Sequence, residues 1–263
     1  MPESPFAPTS SKRPQLKSSR RAGLLTVDFT SADGRLCTRP VSRTLRTGTL
    51  TPAPLPQGLQ ADCHREARTR LCIDPGDVEA FSLPRIVTRW PHFDAVTQSV
   101  GAWLRLLGIP AELFENAEVA FMGCRGASYH HDGARYGGIA FCNLFLSEDQ
   151  DLAVRWPAIG KSLPPTRGTV ALFDPCQPHG IVDAKNTSFD AADFTSPDRL
   201  QFFLTWELPI EHPAVAKALG ISFDLAGQPS NQVQEPSAPL RLDNEPVTVC
   251  PRTGECLPML VPQ

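Results

Sequence analysis

The chain has 263 residues, enough for one well-formed core with extensions, and carries a net charge of −3 with a pI near 6.1. That balance gives no general attraction to nucleic acid or to a membrane surface, and no apolar run reaches the length of a membrane span. The prolines, about twice their average share, concentrate outside the middle of the chain, which marks loose ends around a compact centre.

Eight cysteines are scattered without a C-x-x-C pair, so neither a zinc cluster nor a small disulfide scaffold is expected. Cys124, Cys142 and Cys176 fall in expected core strands, where buried free thiols are the natural state. Cys250 and Cys256 flank a turn and are spaced to bridge on oxidation.

Residues 1–22 are rich in Ser, Pro and basic side chains and cannot bury enough apolar surface to offset their ordering entropy. Arg20-Arg21 ahead of Gly23-Leu24-Leu25 has the look of an export signal, but Asp28 breaks the apolar stretch; the Ser- and Arg-rich start leaves an organelle transit peptide as the alternative to the expected location, the cytoplasm. A hairpin is expected from Leu24–Phe29 and Arg35–Val41 around a turn at Ala32-Asp33-Gly34, then a Pro-rich stretch at 51–60 and a charged helix at 61–70. The organisation that follows is a low-order region over 1–60, a folded domain over 61–225 and a poorly ordered tail over 226–263, with one short strand near 246–250.

Phe93, Val96, Val100, Trp103, Leu104 and Leu107 recur at three- and four-residue steps, which predicts a helix stopped by Gly108 and Pro110. Beyond it the reading is short strands between turn signals: 118–122, 139–146, 152–156, 169–173, a strand resuming at Ile181, and a last one following Arg199. This spacing predicts a mainly β sandwich or barrel with flanking helices. Residues 183–198 interrupt the pattern and read as an insertion long enough to form a lid.

Two pieces carry chemistry. In SYHHDG, His130 and Asp132 are two residues apart and would share one face of an extended strand, with His131 pointing away. In RGTVALFDPCQPHGIVD, an apolar strand and a polar turn deliver His179, 47 residues after Asp132. Two imidazoles and one carboxylate on one side of a metal leave the opposite positions open, the ligand set of a non-haem Fe(II) oxygenase.

This order of H-x-D, glycine turn, apolar strand ending in Phe, short turn and His resembles the 2-oxoglutarate/Fe(II)-dependent dioxygenase superfamily, in style its prolyl-hydroxylase-like branch, over roughly 75–222. The resemblance implies a double-stranded β-helix, or jelly-roll, core. It implies Fe(II) held by His130, Asp132 and His179, which are the catalytic residues, with 2-oxoglutarate and O2 as co-substrates. The far carboxylate of 2-oxoglutarate needs a fixed cation, which similar enzymes place at the start of the strand after the distal His. Arg199 has that role here, 20 residues after His179, unless it is a surface residue; Lys185 and Arg155 are weaker competitors. Asn143 either faces the cavity and assists a carboxylate or satisfies neighbouring backbone. Tyr129, Phe141, Phe173 and Trp206 can supply apolar walls.

The implied reaction is hydroxylation of a small-molecule or peptidyl substrate, with 2-oxoglutarate decarboxylated to succinate and CO2. The carboxylate at Asp132 argues against the halogenating variant of such sites. Two rivals remain: a cupin-like metal enzyme with no use for 2-oxoglutarate, and a non-catalytic jelly-roll binding module. The core shows no concentrated basic groove for nucleic acid, no membrane partner is implied, and nothing in the sequence sets an oligomeric state.

Overall fold

The computed structural model describes residues 23–31, 34–196, 199–222 and 240–259. The chain enters as a hairpin, β1 (Leu25–Thr30) and β2 (Leu36–Pro40), followed by β3 (Arg46–Thr49) and helix α1 (Gln57–Thr69). Strand β4 (Val78–Phe81) precedes helices α2 (Leu83–Arg89), α3 (Phe93–Leu106) and α4 (Ala111–Glu115), then β5 (Glu118–Cys124) and β6 (Ala127–His130). One helical turn, α5 (Gly133–Tyr136), leads to β7 (Ile139–Phe145), β8 (Leu152–Trp156), β9 (Lys161–Leu163), β10 (Thr169–Phe173), β11 (His179–Asp183) and β12 (Gln201–Pro209). Helix α6 (Pro213–Leu219) and three short strands, β13 (Leu240–Leu242), β14 (Glu245–Val249) and β15 (Cys256–Pro258), complete it. No helix among the described residues is long and apolar enough to cross a membrane.

Two antiparallel sheets form the centre, one ordered β3-β10-β7-β12-β5-β4 and the other β6-β11-β8-β9. From β5 onward the chain steps back and forth between them: β5, β7, β10 and β12 lie in the larger sheet, and β6, β8, β9 and β11 in the smaller. That alternation is a double-stranded β-helix, the architecture expected from the sequence. The two-residue period of a strand then decides what goes where. On β7, Ala140, Cys142 and Leu144 face the helices, while Phe145 packs between the sheets with Phe141 beside it. On β12, Phe202, Leu204, Trp206 and Leu208 join the helix side, and Phe203 turns inward.

Helix α3 has the face its spacing predicts: Val96, Val100, Trp103 and Leu104 are buried. Each such side chain contributes roughly 1.5–3 kcal/mol on leaving water. Gly108 adopts φ +82°, which ends the helix. The Arg167-Gly168 turn is also as expected, and it requires glycine. Its φ is +92°, and a Cβ there would lie 2.1 Å from the Leu50 carbonyl oxygen.

The chain ends differ from expectation. The hairpin at β1 and β2 is present, and most of α1 lies where the charged helix was expected, but the region read as low-order also supplies β3 and the first turn of α1, and the tail read as poorly ordered supplies β13 to β15. These join in a third sheet, β15-β14-β13-β1-β2, in which Leu25 pairs with Leu242 and Val27 with Leu240. Leu25, Val27, Val41, Cys176, Leu240 and Val247 bury one another there. Partners more than 200 residues apart leave no local signal in composition. The basic segment 1–22, the tail at 223–239 and 260–263, and the first two residues of the turn at 32–34 lie outside the described residues.

Arg39 at the end of this hairpin reaches the centre. Its guanidinium is fully buried and donates to both carboxylate oxygens of Asp174, at 2.6 and 3.0 Å, and its Nε donates to the Gly137 carbonyl at 2.7 Å. Asp174 also accepts from the backbone N–H groups of Ser42 and Cys176. A buried pair loses most when one partner is removed, because the other charge is stranded. Arg39→Met should therefore lower unfolding free energy by about 3–5 kcal/mol, measured by urea denaturation.

Candidate metal centre

His130 ends β6, Asp132 lies in the turn that follows, and His179 opens β11. Strands β6 and β11 are neighbours with His130 directly opposite His179, and their ring centroids are 4.5 Å apart. The expectation that one extended strand carries both His130 and Asp132 is corrected. Asp132 has left the strand (φ −103°, ψ 19°) and begins α5, and its N–H donates to the Pro175 carbonyl. The carboxylate is thus brought to the imidazoles by docking one turn on another.

The geometry converges. Oδ1 of Asp132 lies 3.8 Å from Nε2 of His130, and Oδ2 lies 3.8 Å from Nε2 of His179. One donor atom from each residue falls within 4.8 Å of the others, the spacing of a group that can hold a metal ion. Nδ1 of His130 is 2.7 Å from the Ser128 carbonyl, and Nδ1 of His179 is 2.8 Å from the Gln177 carbonyl. A carbonyl can only accept, so each Nδ1 carries its proton and each Nε2 presents a lone pair toward Asp132. His131 turns aside, and its Nδ1 accepts from the Gly133 N–H.

Burial acts on His179 and Asp132. It pushes the His179 imidazole down to about 3, with the neighbouring His130 adding to the effect. It also raises the Asp132 carboxyl, opposed by His130 and His131. A neutral imidazole is the form that ligates, and a cation would restore the carboxylate's charge.

The three donors open on a cavity of about 270 Å³ between the two sheets. Strand register divides its larger-sheet wall into layers. Phe173, Phe141 and Glu207 pair across at the level of His179, whose ring is 5.3 Å from that of Phe173. Ala171, Asn143 and Thr205 form the next layer, and Phe145 and Phe203 the one below. Val154, Ile181 and Ala127 face them from the smaller sheet. Asn143 is therefore a cavity residue; its Oδ1 accepts from the Thr205 hydroxyl at 2.7 Å. Of the four aromatic walls expected, Phe141 and Phe173 line the cavity. Trp206 packs on the helix side of β12, and Tyr129 lines a separate groove on the outer side of the smaller sheet.

Arg199 is not in the cavity, and this corrects its expected role. Its guanidinium donates to Asp183 at 2.8 Å, to the Asp193 carbonyl at 2.8 Å and to the Gln150 carbonyl at 3.2 Å, and it stacks over Phe194. It staples the 183–196 segment to the barrel end. That segment is correspondingly no lid: none of its described residues lines the cavity, and Phe194 is fully buried against Gly126. Arg155 faces outward and donates to the Ala184 carbonyl, and Lys185 is exposed.

Sequence reasoning missed Thr205, Glu207, Arg135 and Tyr136, which all line the cavity. The signal for the first two was available: Phe203, Thr205 and Glu207 are the inward alternation of β12, polar side chains in an otherwise apolar strand. Glu207 accepts from the Tyr136 hydroxyl, and desolvation, with Glu118 nearby, raises its carboxyl above the usual range.

No family model and no curated protein matches the chain. Solved structures similar to it include a prolyl-4-hydroxylase from Pseudomonas putida, at 18% identity and a TM-score of 0.37 over 63% of this chain and 92% of that one. Another is a viral collagen prolyl hydroxylase from Paramecium Bursaria Chlorella virus-1, at 11% identity and 0.36 over 78% and 98%. A third is EvdO2 from Micromonospora carbonacea var. aurantiaca, at 12% and 0.37 over 64% and 87%. The fold assignment rests on the strand order and not on these likenesses.

Replacing Arg199 by Ala should destabilise the fold by about 1–3 kcal/mol through the stranded polar partners, and leave metal affinity within twofold of wild type. Thermal unfolding and cobalt(II) titration would read the two effects.

Proposed function

We propose that this chain is a mononuclear non-haem Fe(II) oxygenase that works with a 2-oxo acid and hydroxylates a small-molecule or peptidyl substrate. The supporting observation is the triad itself: two imidazoles and one carboxylate on one side of a common point, both imidazoles oriented by backbone carbonyls, at the wall of a cavity between the two sheets. His130, Asp132 and His179 would hold the iron. Burial holds the His179 imidazole neutral in the protein without metal, and Asp132 is the one acidic group of the three, whose charge would favour a dication.

Iron held by these three residues would supply the chemistry of oxidative decarboxylation of a 2-oxo acid by O2, coupled to insertion of the second oxygen atom into a substrate C–H bond. The protein's part is to orient and to exclude water. Phe141 and Phe173 wall the metal layer with hydrocarbon, while Tyr136, Glu207 and Arg135 supply polar groups there for a substrate. 2-Oxoglutarate is the 2-oxo acid implied by the sequence resemblance. Its keto-acid end suits three open positions, but Arg199 cannot hold its other end. All eight cysteines are unpaired, Cys250 and Cys256 included, and burial pushes the thiols of Cys124, Cys142 and Cys176 up.

Anaerobic Fe(II) or cobalt(II) titration of the wild-type chain should give one site per molecule. Asp132→Ala and His179→Ala should each weaken it at least a hundredfold with the fold retained by circular dichroism, and undiminished affinity in both would refute the assignment. O2 consumption independent of every 2-oxo acid would instead favour a cupin-like metal enzyme, a reading supported by the lack, among the described residues, of a lysine or arginine in the inner layers of the cavity.

A further inference from the structure

The cavity beneath the candidate metal centre is built for hydrocarbon. Going inward along the strands, the charged lining groups stop at the first layer, where Glu207 stands opposite Phe141 and Arg135 and Asp132 lie on the turn of α5. Two residues along a strand advance about 6.6 Å, so the second layer is where the side chain of a chelated 2-oxo acid would lie. That layer is Ala171, Asn143 and Thr205, and below it are Phe145 and Phe203. Among the described residues no lysine or arginine lines either of these layers. Arg135 is an exposed residue at the metal level, its guanidinium over the Tyr136 ring and its charge already acting on Glu207.

A second carboxylate placed in the inner layers would be desolvated with no cation to meet it, at a cost of several kcal/mol. The Asn143 amide and Thr205 hydroxyl are partly spent on each other, leaving the amide N–H2 as a neutral donor. An aliphatic or aromatic tail in the same place would gain from every phenyl and alkyl wall. We propose that the cavity takes a 2-oxo acid with an uncharged, apolar side chain in preference to 2-oxoglutarate. This rests on reading the triad as an iron centre that works with a 2-oxo acid.

The test loads the full chain with Fe(II) under anaerobic conditions and titrates it with four acids: 2-oxoglutarate, pyruvate, 4-methyl-2-oxopentanoate and phenylpyruvate. Binding is read from the metal-to-ligand charge-transfer band and by calorimetry, neither of which needs turnover. At least one of the two apolar-tailed acids should bind tenfold or more tightly than 2-oxoglutarate. Ala171→Leu, which fills the second layer, should weaken that acid tenfold and change pyruvate affinity less than twofold. The proposal is overturned if 2-oxoglutarate is the tightest of the four, or if Arg135→Gln cuts its affinity tenfold and so reveals a cation at work. Absence of iron uptake by the wild-type chain would overturn the metal reading and this inference together, whereas uptake followed by a preference for 2-oxoglutarate overturns only the inference.

Discussion

The buried pairing of Arg39 with Asp174 holds together the parts of this molecule that matter. Asp174 sits on the turn that delivers His179, and the same guanidinium caps Gly137, just beyond the turn that carries Asp132. Ser42 adds two bonds to that His179 turn, its N–H to Asp174 and its carbonyl from the Gln177 amide. A segment from the N-terminal hairpin thus fixes both loops that bring the three metal-binding candidates together. A salt bridge in such a place adds little net stability over a hydrophobic substitute, but it fixes position. Asp174 must accept four hydrogen bonds at once, and only one arrangement of the turn provides them.

The barrel supplies the rest through alternation. Each strand of the larger sheet gives one face to the helices and the other to the cavity, so a single stretch such as Gln201–Pro209 serves both. The outward face is continuous hydrocarbon packed on α1 to α4 and α6. The inward face carries the few polar groups, graded from charged at the metal level to apolar below. That gradient would orient a ligand by the polarity of its two ends, with a chelating end toward the triad.

The separation of Arg199 from the site has a physical cause. The insertion ahead of it carries Asp183 and Asp193, whose carboxylate and carbonyl meet the guanidinium at the barrel end. Engaged by these acceptors and stacked on Phe194, the guanidinium is held at the barrel end, away from the cavity. A spacing of 20 residues from His179 to Arg199 leaves room for this, where a tight connection would have held the side chain near the strand mouth.

The sequence by itself determined the central strands β5, β7, β8, β10, β11 and β12, the α3 face, the Gly168 turn and the identity of the three candidate ligands. Those features are local: a period of two or 3.6, a glycine where φ must be positive, and an H-x-D followed by a distal His. Only the tertiary structure decided that Arg39 is buried against Asp174, that the chain termini pair as one sheet, and that Thr205 and Glu207 share a cavity with the triad while Arg199 does not. Each of these depends on groups far apart in the chain meeting in space, and a charged side chain's partner is set by which neighbour reaches it first, which no local pattern records.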